Sequence, residues 1–177
     1  MSRSDYISAE SFNILLKALM PQNRLALQVA LDTGLRIDDV LHIKTEQMKK
    51  ERFTIKEMKT GKSRRIRISK ALREECLLYA GRFYVFEHRL DQNKPRTRQA
   101  VYKDLKRACE LFRVNGLQIS PHTARKIYSV CMYDKYNSVT KVQEILNHSK
   151  PEITEVYTLA DVRTEKATKR RKVKIPK

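Results

Sequence analysis

Tryptophan is absent, and the 177 residues hold only four glycines, five prolines, three cysteines and four histidines. So few turn formers exclude a turn-rich all-β protein and favour a helical or mixed one. The cysteines (Cys76, Cys109 and Cys131) are odd in number, far apart and free of any CxxC pair. That excludes a disulfide framework and a cysteine zinc site. Cys76 and Cys109 fall inside helical apolar patterns and read as buried free thiols, a usage that fits a reducing cytoplasm. A long apolar run, a signal peptide and a lipidation motif are all missing, so no membrane partner is expected. Carboxylates and Cys/His groups never cluster at ligand spacing, and "KTGKS" lacks the first glycine of a phosphate-binding loop. Neither metal nor nucleotide cofactor is expected.

Negative charge is also scarce. Twenty Asp and Glu face 38 Lys and Arg, for a net charge of +18. An imbalance of this size in one domain implies a polyanionic partner, most simply nucleic acid. The length and the 41% hydrophobic content suit one domain with a sizeable core, with or without a tail.

Ser8 caps a first helix on which Phe12, Leu15, Leu16 and Leu19 share a face. Pro21 opens a second, strongly apolar helix that Gly34 terminates. "RIDDVLHI" reads as a third, short helix with Val40, Leu41 and Ile43 inward. The pattern then changes. In "RFTIKEMKTGKSRRIRIS", Phe53 and Ile55, then Ile66 and Ile68, alternate with polar residues, the mark of a β-hairpin with a basic tip. "KALREECLLYAG" returns to helix, "RFYVFE" reads as a third short strand, and "HRLDQNKPRTR" as a loop. Val101, Leu105, Ala108, Cys109 and Phe112 form the apolar face of the next helix. Ser120 and Pro121 start the helix through "HTARKIYSVCMYDKY". "VTKVQEILNH" follows, and Pro151 opens a last helix in "PEITEVYTLA". Residues 161–177 carry eight basic and two acidic residues and read as a tail. No internal repeat is present. The fold class is α+β, mainly helical, with a small antiparallel hairpin or three-stranded sheet.

Breaking a phosphodiester needs a nucleophile, cationic donors at the non-bridging oxygens where charge grows, and an acid for the leaving oxygen. Arginine suits the oxygens, because its fork binds phosphate in two places and stays charged. Arg36 ends "DTGLR" at a turn. Arg125 lies three residues after His122, so both point from one face of a helix. Each of these has a plainer alternative. An arginine in so basic a chain is ordinarily a solvated charge, His42 and His88 read as surface or core-edge residues, and Tyr157 is one of eight tyrosines.

In combination and order, however, "TGLR" at 33–36, "EMKTGKSRRIRIS", "PHTAR" and "LNHSKPEITEVY" resemble the tyrosine recombinases, or phage-type integrases. The resemblance runs from about Ser8 to Tyr157 and implies that family's catalytic fold over residues 1–160. It assigns Arg36, Lys59, His122, Arg125, His148 and the nucleophile Tyr157 to catalysis, with Lys62 as the alternative to Lys59. Asp39 takes the place of the carboxylate that supports the first arginine. Lys62, Arg64, Arg65 and Lys126 are candidates for DNA backbone contacts. Asn147 replaces the usual glycine before His148, a mild change at a position suited to a left-handed turn. The family's N-terminal core-binding domain is not apparent in the chain.

The resemblance further implies a metal-independent site-specific recombinase. It would cleave and rejoin double-stranded DNA through a 3′-phosphotyrosine, as a dimer or tetramer on DNA, in the cytoplasm. Competing readings are a non-catalytic DNA-binding protein of the same fold, a type IB topoisomerase-like nicking-closing enzyme, and a basic RNA-binding protein, for which no RNA module is recognisable.

Overall fold

The computed structural model describes residues 4–147. His148, Tyr157, the helix expected from Pro151 and the basic tail lie outside the described residues. Eight helices and one hairpin are present within them: α1 (Ala9–Lys17), α2 (Pro21–Thr33), α3 (Ile37–Leu41), α4 (Thr45–Met48), β1 (Arg52–Lys56), β2 (Ser63–Arg67), α5 (Lys70–Leu78), α6 (Arg98–Leu111), α7 (Pro121–Tyr136) and α8 (Val139–Ile145).

The expected start and stop signals operate as chemistry requires. Ser8 accepts from the Ser11 N–H at 3.1 Å, Ser120 from the His122 N–H at 3.2 Å, and Pro21 and Pro121 occupy first turns; Ser69 and Thr97, not singled out in the sequence, cap α5 and α6 in the same way. Each cap satisfies an N–H that a helix start leaves without an intrahelical partner. The helix α4 is an addition to the elements read from sequence.

Helix α2 is the centre of the molecule. Its Leu25, Ala26, Leu27, Val29 and Ala30 are fully buried, and it packs against α1, α3, α5, α6 and α7. A helix apolar around most of its circumference belongs inside, surrounded by one-faced helices. The amphipathic α6 is such a partner. Asp104 from its buried face accepts from the Met20 N–H at 2.8 Å and from Asn23 Nδ2 at 2.7 Å, which ties down the start of α2.

The α2–α7 packing needs Gly34. This residue ends α2 in the left-handed region at φ 67°, and a Cβ there would lie 2.3 Å from a ring carbon of Tyr128 on α7. Glycine answers both the backbone and the contact. Gly34→Ala is therefore expected to destabilise the fold by about 2–4 kcal/mol, from a strained left-handed alanine plus the displaced ring. Urea unfolding checks this; a midpoint equal to wild type would mean that α2 and α7 can separate at no cost.

The hairpin forms in the register Arg52↔Arg67, Phe53↔Ile66, Thr54↔Arg65, Ile55↔Arg64 and Lys56↔Ser63. Among the described residues the sheet has two strands, not three. The segment expected as a third strand makes isolated bridges instead, Lys44↔Tyr84 and Glu87↔Pro95. Val85 and Phe86 are buried as a strand pattern suggests. The backbone, however, bonds to two different partners, Val85 N–H to Ile43 O at 3.0 Å and Arg96 N–H to Phe86 O at 2.7 Å. The Glu87 carboxylate folds back on the Arg82 N–H at 2.8 Å. Local turns thus take the hydrogen bonds that a ladder would need. Cys76 and Cys109 are buried as expected, and Cys131 is exposed.

Candidate active site

Arg36 occupies the N-cap position of α3, two residues beyond the Gly34 turn, with its side chain free of any capping bond to the helix. Its Nη1 donates to Glu57 Oε2 at 2.5 Å. The arginine side chain keeps 19% exposure while Glu57 keeps none, so the pair joins a solvent-facing cation to a buried anion.

Arg125, one turn into α7, is only 3% exposed. Its Nη1 donates to Gly34 O at 2.6 Å and its Nη2 to Leu146 O at 2.9 Å. These are C-cap carbonyls of α2 and α8. Helix C-termini present carbonyls without intrahelical donors and carry the negative end of the macrodipole. Two helix ends thus hold one buried cation in a fixed plane. Burial, and after it the Arg36 cation, pushes Arg125 down to about 9, which still leaves it charged at neutral pH.

His122 stands one turn before Arg125 on α7, its N–H capped by Ser120 Oγ at 3.2 Å. Burial pushes the imidazole down to about 4, with the cations Arg125, Lys126, Arg36 and Arg98 adding to the effect. It is therefore neutral at pH 7. The stability that depends on its neutrality is complete above the ordinary value of 6.5 and is lost as pH falls through about 4, since in that window the unfolded chain binds the extra proton. Replacing the ring by His122→Gln should remove up to about 1.4 kcal/mol per pH unit from the acid-side slope of stability. Urea midpoints between pH 6.5 and 4 measure it, and equal slopes would show that His122 titrates normally.

The hairpin divides its basic residues by the strand pleat. Arg64 shares the inner face with Ile66, and Arg65 points to solvent. Arg64 Nη2 donates to Thr33 O at 2.5 Å and the guanidinium bonds to Tyr128, so Arg64 braces the α2–α3 corner. Lys59 and Lys62 are exposed on the turn, where Gly61 adopts φ 66°. Lys126 is 5% exposed and is not a solvated surface charge. Asn147 adopts φ 57°, the left-handed turn its sequence position suggested.

The resemblance has Asp39 orient Arg36 or a neighbouring basic group. Its Oδ1 instead accepts from the Met58 N–H at 2.8 Å, which fixes the end of β1. It lies within the fields of Arg36 and Arg125, yet burial raises its carboxyl above the ordinary range. The carboxylate that holds Arg36 is Glu57, which the sequence reading missed. Its signal was present. Phe53, Ile55 and Glu57 are alternate residues, so the strand carries Glu57 to the inward face behind two buried apolar side chains. His42 and His88 hydrogen-bond locally, to Asp38 O and to the Leu90 N–H.

Segments far apart in the chain thus bring Arg36, His122, Arg125 and the lysine-bearing turn around one cationic centre. The family model described as the phage integrase family matches residues 6–163. The chain belongs to the phage integrase family. It is 32% identical over 143 residues to the probable integrase/recombinase YoeC of Bacillus subtilis, covering 77% of both chains. It is 28% identical over 145 residues to the tyrosine recombinase XerA of Pyrococcus furiosus, covering 77% of this chain and 50% of that one. Among solved structures, a lambda integrase dimer bound to a COC′ core site matches with a TM-score of 0.74 at 20% identity, over 89% of this chain and 49% of that one. XerH bound to palindromic difH matches with a TM-score of 0.69 at 21% identity, over 94% and 53%. These two likenesses show the fold, that of tyrosine recombinase catalytic domains. The chain spans about half the length of the XerA, lambda integrase and XerH chains. Among the described residues, no helix of this integrase-family chain is long and apolar enough to cross a membrane.

Proposed function

We propose that residues 1–160 act as the catalytic domain of a site-specific DNA recombinase, with 161–177 a basic tail. One observation carries this reading. Arg36 lies within the electrostatic field of Arg125 although 89 positions separate them, and each is already held by protein acceptors. Bringing like charges together costs energy that an anionic ligand recovers, and a perturbed cluster of this kind marks a functional site.

In this reading the two guanidinium groups hold the non-bridging oxygens of the scissile phosphate. The Tyr157 oxygen attacks phosphorus, a Tyr–phosphate bond forms, and the bond to the 5′-oxygen breaks. Lys59 gives that oxygen its proton, with Lys62 as the nearby alternative. The phenolic proton passes to His122, whose basicity rises when the phosphate's negative charge enters the ring of cations around it. His148 donates a hydrogen bond to the phosphate. Arg65 and Lys62, both exposed, contact the DNA backbone, whereas the buried Lys126 adds its charge to the field around His122. Asp39 and Arg64 hold the hairpin and the corner in place. Resealing reverses the sequence and conserves the phosphodiester energy. The DNA-bound dimers and tetramers of lambda integrase support double-stranded DNA as partner and assembly of several copies upon it. The cytoplasm is the compartment that this reading gives it.

Covalent capture tests the proposal. The protein is incubated with a nicked duplex library, from which cleaved ends diffuse away, and DNA still attached after denaturation is sequenced. An adduct at a preferred site is expected. Binding without any adduct would favour the non-catalytic DNA-binding alternative.

A further inference from the structure

The recombinase reading leaves Glu57 without a role, yet no ionisable side chain among the described residues is more completely enclosed. A buried charge is costly unless its partners satisfy it fully. Both Glu57 oxygens have partners. Oε2 accepts from Arg36 Nη1 at 2.5 Å and from Thr60 Oγ1 at 3.2 Å. Oε1 lies 3.5 Å from Asn147 Nδ2. The main chain of the same residue closes the hairpin turn, with Glu57 N–H donating to Lys62 O at 2.9 Å and Glu57 O accepting from Gly61 N–H at 2.8 Å. One residue therefore touches the arginine, the turn that carries Lys59, and the residue before His148.

We propose that Glu57 is a positioning residue for the cleavage step, locking Arg36, the Lys59 turn and Asn147 into one unit. The inference rests on the recombinase reading above. Its chemical reason is that Arg36 and Lys59 serve different oxygens of one phosphate, so their separation has to be held. A misplacement of about 1 Å in such an arrangement costs roughly 10²-fold in rate. Arg36 presents five N–H donors on a rigid fork. Glu57 takes one edge of that fork and leaves the rest to face the substrate. Simple charge neutralisation is the alternative, and it differs in a testable way. Neutralisation needs only a carboxylate, whereas positioning needs one of this length.

The test compares wild type, Glu57→Gln, Glu57→Asp and Thr60→Val as full chains, using a nicked duplex recovered by covalent capture. The readouts are single-turnover cleavage at saturating DNA, duplex affinity, and rotation of the Arg36 guanidinium by NMR in the DNA-free protein. The expected result for both Glu57 variants is cleavage slowed about 10–100-fold with affinity within about three-fold, and freed rotation of Arg36 in Glu57→Gln. Folded Glu57→Asp that cleaves at the wild-type rate would overturn the proposal in favour of neutralisation, and folded Glu57→Gln that does so would overturn it outright. If Glu57→Gln does not fold, Thr60→Val decides. It keeps the ion pair and removes only the hydroxyl, so cleavage about 3–10-fold slower supports the unit and an unchanged rate sinks it. If wild type itself forms no adduct, the recombinase reading fails separately. Arg36 rotation then decides whether Glu57 holds the arginine, with unchanged rotation in Glu57→Gln counting against it.

Discussion

Tyr157→Phe should abolish the covalent adduct, with a loss of at least about 10⁴-fold, while duplex affinity stays within about three-fold of wild type. The substitution removes one oxygen, the atom that would bond to phosphorus, and leaves the cationic centre intact. A free phenol has a pKa of about 10 and is a poor nucleophile at neutral pH. A site that collects Arg36 and Arg125 favours the phenolate form of a tyrosine placed in it. The alternative nucleophile near this centre is Tyr128. Its hydroxyl bonds to Arg64, and burial pushes it above the ordinary phenol value, so it is unsuited to attack. Quantifying denaturation-resistant protein–DNA adducts in the two proteins checks the prediction. An adduct that survives in Tyr157→Phe would move the nucleophile to another tyrosine, and Tyr128→Phe would be the next variant to make.

Arg125→Lys is expected to slow cleavage by about 10²–10³-fold, the loss typical of removing one preorganised donor from a developing oxyanion. It keeps the charge, so the effect isolates geometry. The guanidinium spans Gly34 O and Leu146 O through its two terminal nitrogens. An ammonium is a point charge with three donors, and it cannot bridge two helix ends and face the substrate in a fixed plane. A buried carbonyl left without its donor should also lower stability by about 1–3 kcal/mol. Single-turnover cleavage and thermal unfolding read the two effects separately. Cleavage within about three-fold of wild type would mean that Arg125 serves the α2–α8 junction and not the phosphate.

Local chemistry made much of the fold legible. The caps at Ser8 and Ser120, prolines at first turns, Gly34 at φ 67° and Asn147 at φ 57° are decided within a few residues of chain, and a linear reading sees them. The alternation around the hairpin is of the same kind. The third strand failed because a strand needs a partner along its length. The segment 82–87 finds only single bridges, at Lys44 and Pro95, a matter settled by chain elsewhere.

The same division runs through the candidate site. By itself the sequence determined the residue types, their order and the family, because motifs such as "TGLR" and "PHTAR" are contiguous. Which carboxylate holds Arg36 was a different matter. Asp39, three residues away, was the natural choice, but its oxygen bonds to the Met58 N–H while Glu57 takes the guanidinium. The hairpin's register and the pleat that separates Arg64 from Arg65 made that decision. So did the convergence of two helix C-termini on Arg125. Spacing along a chain fixes which side chains share a face, and only the packing of faces decides which charge meets which, because Coulomb and hydrogen-bond partners are chosen by distance in space.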